Sequence, residues 1–259
     1  TLGRVVFAAL ALLLVLAALR ARFTLAARRD YLLLPLTGVV LAVHWAAFFQ
    51  SVQVATVAIA LISFATFPVF VTFLEPLFFP QALAPMDVAL ALLTLAGVAL
   101  VVPSVTFADA TTQGVLWGLL AASSFAVLSL FNRYFVRRYS SLLIAFYQDA
   151  TAALVLLPFL LLLQQPVTVG DLFRLALLGV VFTALAHTLF IQGLRGVKAQ
   201  TAGIISSLEP VYGIVFAALL LAEIPTPRTL LGGMLILGVV LYSSWHSGRQ
   251  QSGRQHSAD

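Results

Sequence analysis

Long uncharged stretches alternate with short charged ones along the chain. No Asp, Glu, Lys or Arg occurs from Tyr31 to Leu74, nor in Val88–Ala108, Ala110–Asn132, Leu175–Leu194 or Thr229–Gly248. A helix needs about 20 apolar residues to cross a hydrocarbon core, and a charge at its centre costs several kcal/mol. Read from break to break, the pattern predicts spans near 3–20, 31–50, 54–78, 84–104, 113–135, 140–163, 170–193, 199–222 and 227–246. The expected fold class is an all-α polytopic membrane protein, a helical bundle with nine spans visible.

Composition sharpens this picture. Charged residues make up 9% of the 259, against roughly 25% in soluble domains. That excludes a soluble fold and leaves no room for a sizeable extramembrane domain. The sequence pI of about 10.1 does not signal nucleic acid, because the basic residues lie between apolar blocks. Counted over alternate loops, one side carries Arg20, Arg22, Arg28, Arg29, Arg133, Arg137, Arg138, Arg195, Lys198, Arg249 and Arg254; the other carries Arg4, Arg174 and Arg228. The positive-inside rule then predicts a cytoplasmic C-terminus, in a bacterial inner membrane. Residues 247–259 are polar and Gln/Ser/Gly-rich, and read as a disordered cytoplasmic tail. With no cysteine, thiol redox chemistry, disulfides and Cys-bound metals are excluded.

The chain also repeats itself. Phe48 and Phe190, Gln50 and Gln192, Pro68 and Pro210, Val69 and Val211, and Pro85 and Pro227 all lie 142 residues apart. With a one-residue slip, Leu36-Thr37-Gly38-Val39-Val40 matches Leu177-Leu178-Gly179-Val180-Val181. The step from one copy to the next crosses five spans, an odd number, so the copies are expected in opposite orientations. Two spans precede the Gly179 span in the second half and one precedes the Gly38 span in the first. A ten-span parent, with both termini cytoplasmic, is therefore the expectation.

At this point the residues carry a family likeness. Ser206-Ser207-Leu208-Glu209-Pro210-Val211-Tyr212, followed by Leu220-Leu221-Ala222-Glu223 and a Gly-containing last span, resembles the signature of EamA-type transporters of the drug/metabolite transporter superfamily. Ile62-Ser63-Phe64-Ala65-Thr66-Phe67-Pro68-Val69 echoes it in the first half, and Arg4 with Phe7-Ala8-Ala9 resembles that family's second span. The resemblance implies a five-plus-five arrangement: residues 1–104 as a first repeat lacking its first span, and 113–246 as a second. It implies solute transport, often export of amino acids or related metabolites. The counterpart of Glu223 in the first half is Gln81, so a role for that glutamate would not be two-fold symmetric.

Few polar residues fall inside the spans. Glu209 and Asp149 are mid-span acids, each a function candidate because an unpartnered carboxylate is costly there. Glu209 reads equally as a structural partner of a kink at Pro210; Asp149, after Tyr147 and Gln148, could bind a substrate amine, carry a proton or pair with Arg4. His44 and Trp45 offer a titratable ring and a stacking surface, or an interhelical bond and an interfacial anchor. His187 reads as structural. Candidate cavity residues are thus His44, Trp45, Tyr147, Gln148, Asp149, Ser206, Ser207, Glu209 and Tyr212, with Pro68 and Pro210 as hinges. No catalytic residue, metal site or cofactor is expected: the chain has no Walker A loop and no HExxH spacing.

The function read from the sequence is a secondary transporter exporting small organic metabolites, amino acids or similar amphipathic solutes, by alternating access at a midplane site between the repeats. Its partners would be a small-molecule substrate, membrane lipid and coupling protons. A non-transporting scaffold or assembly subunit is the alternative from another class; within the class, a sugar-phosphate carrier would need mid-span Lys or Arg.

Overall fold

The computed structural model describes residues 1–79, 83, 85–102, 106–162, 168–196 and 209–256. Its regular elements are helices: α1 (Leu2–Ala18), α2 (Asp30–Val54), α3 (Val57–Phe64), α4 (Phe67–Phe78), α5 (Pro85–Val101), α6 (Ala110–Phe135), α7 (Ser141–Leu156), α8 (Val169–Gly179), α9 (Ala186–Gly196), α10 (Glu209–Leu221) and α11 (Pro227–His256). A 3₁₀ segment, Leu157–Leu162, extends α7, and a π-helical segment, Val180–Leu185, joins α8 to α9. Five of the resulting rods are long and apolar enough to cross a membrane, and four shorter helices are apolar. Leu32, Leu77, Leu219 and Leu220 are 73–78% exposed, which suits a surface facing lipid. The chain is an all-α polytopic membrane protein.

Helix ends follow local chemistry. Beyond α1, Arg20 adopts a left-handed φ of 51°. The Ala21 and Arg20 N–H groups then donate to the Leu16 and Ala17 carbonyls at 2.9 and 3.0 Å, which satisfies the last turn. At the start of α3, Thr56 Oγ1 accepts the Ile59 N–H at 3.2 Å and Glu223 Oε2 accepts the Val57 N–H at 3.0 Å. The chain breaks between Phe64 and Phe67, and Pro68 occupies the second position of α4. Pro68 and Pro210 were both expected to kink a continuous span. Pro68 sits instead in a first turn, where a missing N–H leaves no intrahelical bond unmade. Glu209 is exposed. The residues before it, including Ser206 and Ser207, lie outside the described residues. The expected disordered tail is also different: α11 continues to His256, because no proline follows Trp245 and Gln and Arg favour helix.

The chain forms two compact units. Unit 1 comprises residues 1–45 and 131–196, unit 2 residues 46–130 and 197–259. In unit 1, α1 packs on α7 and α8. Glycines permit the closest crossings: a Cβ at Gly179 would meet the Arg4 carbonyl oxygen and Phe7 Cβ at 2.5 Å, and one at Gly38 would meet Thr151 Cβ at 2.6 Å and the Gln148 carbonyl oxygen at 2.7 Å. In unit 2, α5 lies along α11. There a Cβ at Gly232 would come within 2.8 Å of the Gly97 carbonyl oxygen. Phe64, Phe67 and Phe125 form an aromatic cluster with ring centroids 5.2–5.4 Å apart.

Candidate substrate site

Unit 1 holds a connected set of buried polar side chains on α1, α2, α6, α7 and the α8–α9 rod. The close crossing at Gly38 places Thr37 of α2 beside Gln148 of α7. Gln148 is fully buried and uses both ends of its amide. Its Nε2 donates to Thr37 Oγ1 at 2.9 Å and to Asn132 Oδ1 at 2.7 Å, while Oε1 lies 2.8 Å from His187 Nε2. Thr37 has given its own hydrogen to the Leu34 carbonyl at 2.6 Å, so its oxygen is left to accept. With Oε1 only an acceptor, His187 Nε2 must carry a hydrogen. The amide thus fixes the orientation of the His187 ring and keeps a hydrogen on its Nε2.

The crossing at Gly179 works similarly for Arg4. The π-helical turn brings the Thr183 hydroxyl onto the Leu178 carbonyl, five residues back, at 2.8 Å, and Thr183 Oγ1 accepts from Arg4 Nε at 2.8 Å. The Arg4 guanidinium carbon lies 4.7 Å from the Trp45 ring centroid, within cation–π range. Trp45 in turn meets His187 edge-on, centroids 6.1 Å apart. His44, beside Trp45 on α2, is also buried.

Asp149 completes the set. Its side chain is fully buried, neither carboxylate oxygen has a hydrogen-bond partner, and the Arg4 charge acts on it. A buried acid of this kind, in the same cluster as a cation held by an aromatic face, has acceptor sites left over for a proton or for a cationic group on a solute.

Of the residues singled out in the sequence, His44, Trp45, Gln148 and Asp149 meet here. Tyr147 is on the same helix but turns away, donating to the Phe23 carbonyl at 2.9 Å. Glu209 and Tyr212 belong to unit 2, and both are exposed. Sequence reasoning missed Thr37, Asn132 and Thr183 as site residues and took His187 as structural. Only His187 carried a usable signal, an imidazole within an uncharged run.

The chain resembles known proteins over much of its length. A family model described as the EamA-like transporter family matches residues 112–245. An uncharacterized transporter of Archaeoglobus fulgidus is 31% identical over 130 residues, 50% of this chain and 47% of that protein. The uncharacterized transporter YxxF of Bacillus subtilis is 25% identical over 193 residues, covering 73% of this chain and 61% of its own. A Rickettsia prowazekii protein named S-adenosylmethionine uptake transporter is 30% identical over 145 residues, 55% of this chain and 48% of that protein. These matches span about half to three-fifths of each relative. A solved crystal structure shares the fold, with a TM-score of 0.67 at 20% identity over 96% of this chain and 88% of that one.

Proposed function

Because the chain belongs to the EamA-like transporter family, and so is a membrane transporter, we propose that it carries small amino-acid-derived zwitterions by alternating access, with the unit 1 cluster as its substrate site. The observation that carries this reading is Asp149: buried, without a hydrogen-bond donor, and under the influence of Arg4. A zwitterion presents opposite charges a few ångströms apart, matching an acid and a guanidinium. Trp45 offers the apolar or cationic part of the solute a π-face. The relatives named for S-adenosylmethionine uptake support this solute chemistry, since that molecule joins an amino-acid zwitterion to a sulfonium cation and an aromatic base.

Direction follows from the coupling gradient. Export of amino acids and uptake of S-adenosylmethionine are the same carrier cycle run in opposite senses. On this reading the protein works in a bacterial inner membrane with its C-terminus in the cytoplasm, as the arginine distribution supports, and residues 31–104 and 170–246 act as oppositely oriented repeats.

The test is transport in proteoliposomes, with labelled S-adenosylmethionine and a panel of amino acids. The wild-type protein should accumulate one of these solutes against its gradient when a pH step is imposed. Asp149→Asn should abolish that accumulation while keeping counterflow exchange, which needs no cycling of the carboxyl between its charged and neutral forms. Full gradient-driven accumulation by Asp149→Asn would remove the acid from the coupling site. No flux of any zwitterion, in either direction, would favour a scaffold.

A further inference from the structure

Two arginine-bearing turns of unit 1 are stapled together by tyrosine hydroxyls. The α1–α2 turn and the start of α2 carry Arg20, Arg22, Arg28 and Arg29; the end of α6 and the turn into α7 carry Arg133, Arg137 and Arg138. Tyr31 Oη accepts the Leu25 N–H at 2.9 Å, Tyr139 Oη accepts the Ala26 N–H at 3.0 Å and Tyr147 Oη donates to the Phe23 carbonyl at 2.9 Å. Tyr139 also donates to Asp30 at 2.6 Å. Burial and that donation raise the Tyr139 hydroxyl above the ordinary phenol range, so it stays a donor at physiological pH.

Around Tyr134 the arginines themselves are positioned. Arg29 Nη2 donates to the Tyr134 hydroxyl at 2.7 Å, and Arg138 Cζ lies 4.9 Å from the ring centroid. Arg195 ends α9 nearby, because Gln192 on that helix accepts from Ser141 at the start of α7 at 3.1 Å. Seven of these eight arginines sit on exposed positions, with Arg133 half-buried. Asp30 is the single acidic residue in 19–30 and 131–141. It is buried and bonded to Tyr139, with Arg29 Nε 3.8 Å away.

Like charges repel, so a folded clasp that gathers them works against electrostatics unless something negative neutralises the group. A topology signal does not need such a clasp, since it acts on the loops during insertion. Tyr134 and Tyr147, both half-buried, the latter bonded to Phe23, mark the rim as a membrane–water interface, where tyrosine rings settle. We propose that this rim is a docking site for the phosphate of an anionic phospholipid headgroup, held by Arg29, Arg137 and Arg138 around Tyr134. Rows of basic side chains at a helix-end interface attract such lipids, each with about a fivefold gain in binding.

The experiment uses the full chain in nanodiscs of equal phosphatidylglycerol and phosphatidylcholine, with the retained lipids identified by native mass spectrometry. Wild type should retain phosphatidylglycerol preferentially. Arg137→Gln with Arg138→Gln should lower that preference by about fivefold per arginine, and Tyr134→Phe should lower it by releasing Arg29. Arg174→Gln, midway along α8 and paired with Asp171, should leave it unchanged. Each variant's unfolding midpoint in pure phosphatidylcholine verifies that it is folded. Unchanged preference in the double variant, or an equal loss in Arg174→Gln, overturns the site. Neither outcome depends on transport, so this test fails separately from the zwitterion reading.

Discussion

Asp149 and Gln148 are neighbours on α7 with opposite circumstances. Gln148 is bonded at both ends of its amide, while Asp149 is bonded at neither oxygen. Gln148→Leu would strand the donor of His187 and remove the donor that Thr37 and Asn132 accept. It is expected to destabilise the protein by about 1–2 kcal/mol, the upper range for interhelical polar contacts in membranes. Asp149→Asn should leave stability unchanged or raise it, since no hydrogen bond is lost and a buried acid is removed. Thermal unfolding of both variants in one detergent gives the comparison; an equal loss for Asp149→Asn would show that its carboxylate holds a structural partner. Much of this cluster was legible in the sequence. Histidine, tryptophan, glutamine and aspartate are conspicuous in an apolar run. Thr37, Asn132 and Thr183 were not, because threonine within a helix ordinarily bonds its own backbone, and only the fold reveals that Gly38 and Gly179 bring two of them against a neighbour.

Glycine and alanine positions decide how closely the helices cross and how they end. Gly38→Ala and Gly179→Ala each push a methyl into backbone on the facing helix at 2.5–2.7 Å. Each is expected to cost about 1–3 kcal/mol and to break Thr37–Gln148 or Arg4–Thr183 with it. Gly238→Ala has nothing within 4 Å and should stabilise α11 by up to about 1 kcal/mol through helix propensity. Ala222, just past α10, has a left-handed φ of 56°, so Ala222→Gly should gain about 1 kcal/mol. Unfolding midpoints check all four signs; a stabilising Gly38→Ala would mean that α2 and α7 have room to part. The repeat spacing made Gly38 and Gly179 visible as a pair, yet not what they do. The break at residues 65–66 was harder to foresee, since Ala65 and Thr66 are not helix breakers and Pro68 alone reads as a kink.

Across the whole molecule, the compact units cut across the two sequence halves, each drawing helices from both. Periodicity along the chain reports duplication, whereas contacts follow which faces can be buried, and sequence spacing carries little of that. The absence of cysteine makes topology directly measurable. A single cysteine introduced after Trp245 should be shielded from an impermeant thiol reagent added to intact cells, and one at Phe107 should be labelled. The opposite pattern at both positions would reverse the orientation derived from the arginine count.

The π-helical turn at Val180–Leu185 works like a cam. A π turn holds one more residue than an α turn. Rewinding it would rotate the segment beyond it by about 100° and advance it by about 1.5 Å. His187, two residues past the cam, would then swing away from Gln148 and Trp45, while Thr183 would give up the Leu178 carbonyl and its hold on Arg4. One local change of pitch would therefore loosen the arginine from Thr183 and displace the histidine together, so that the two halves of the cluster answer to a single stroke.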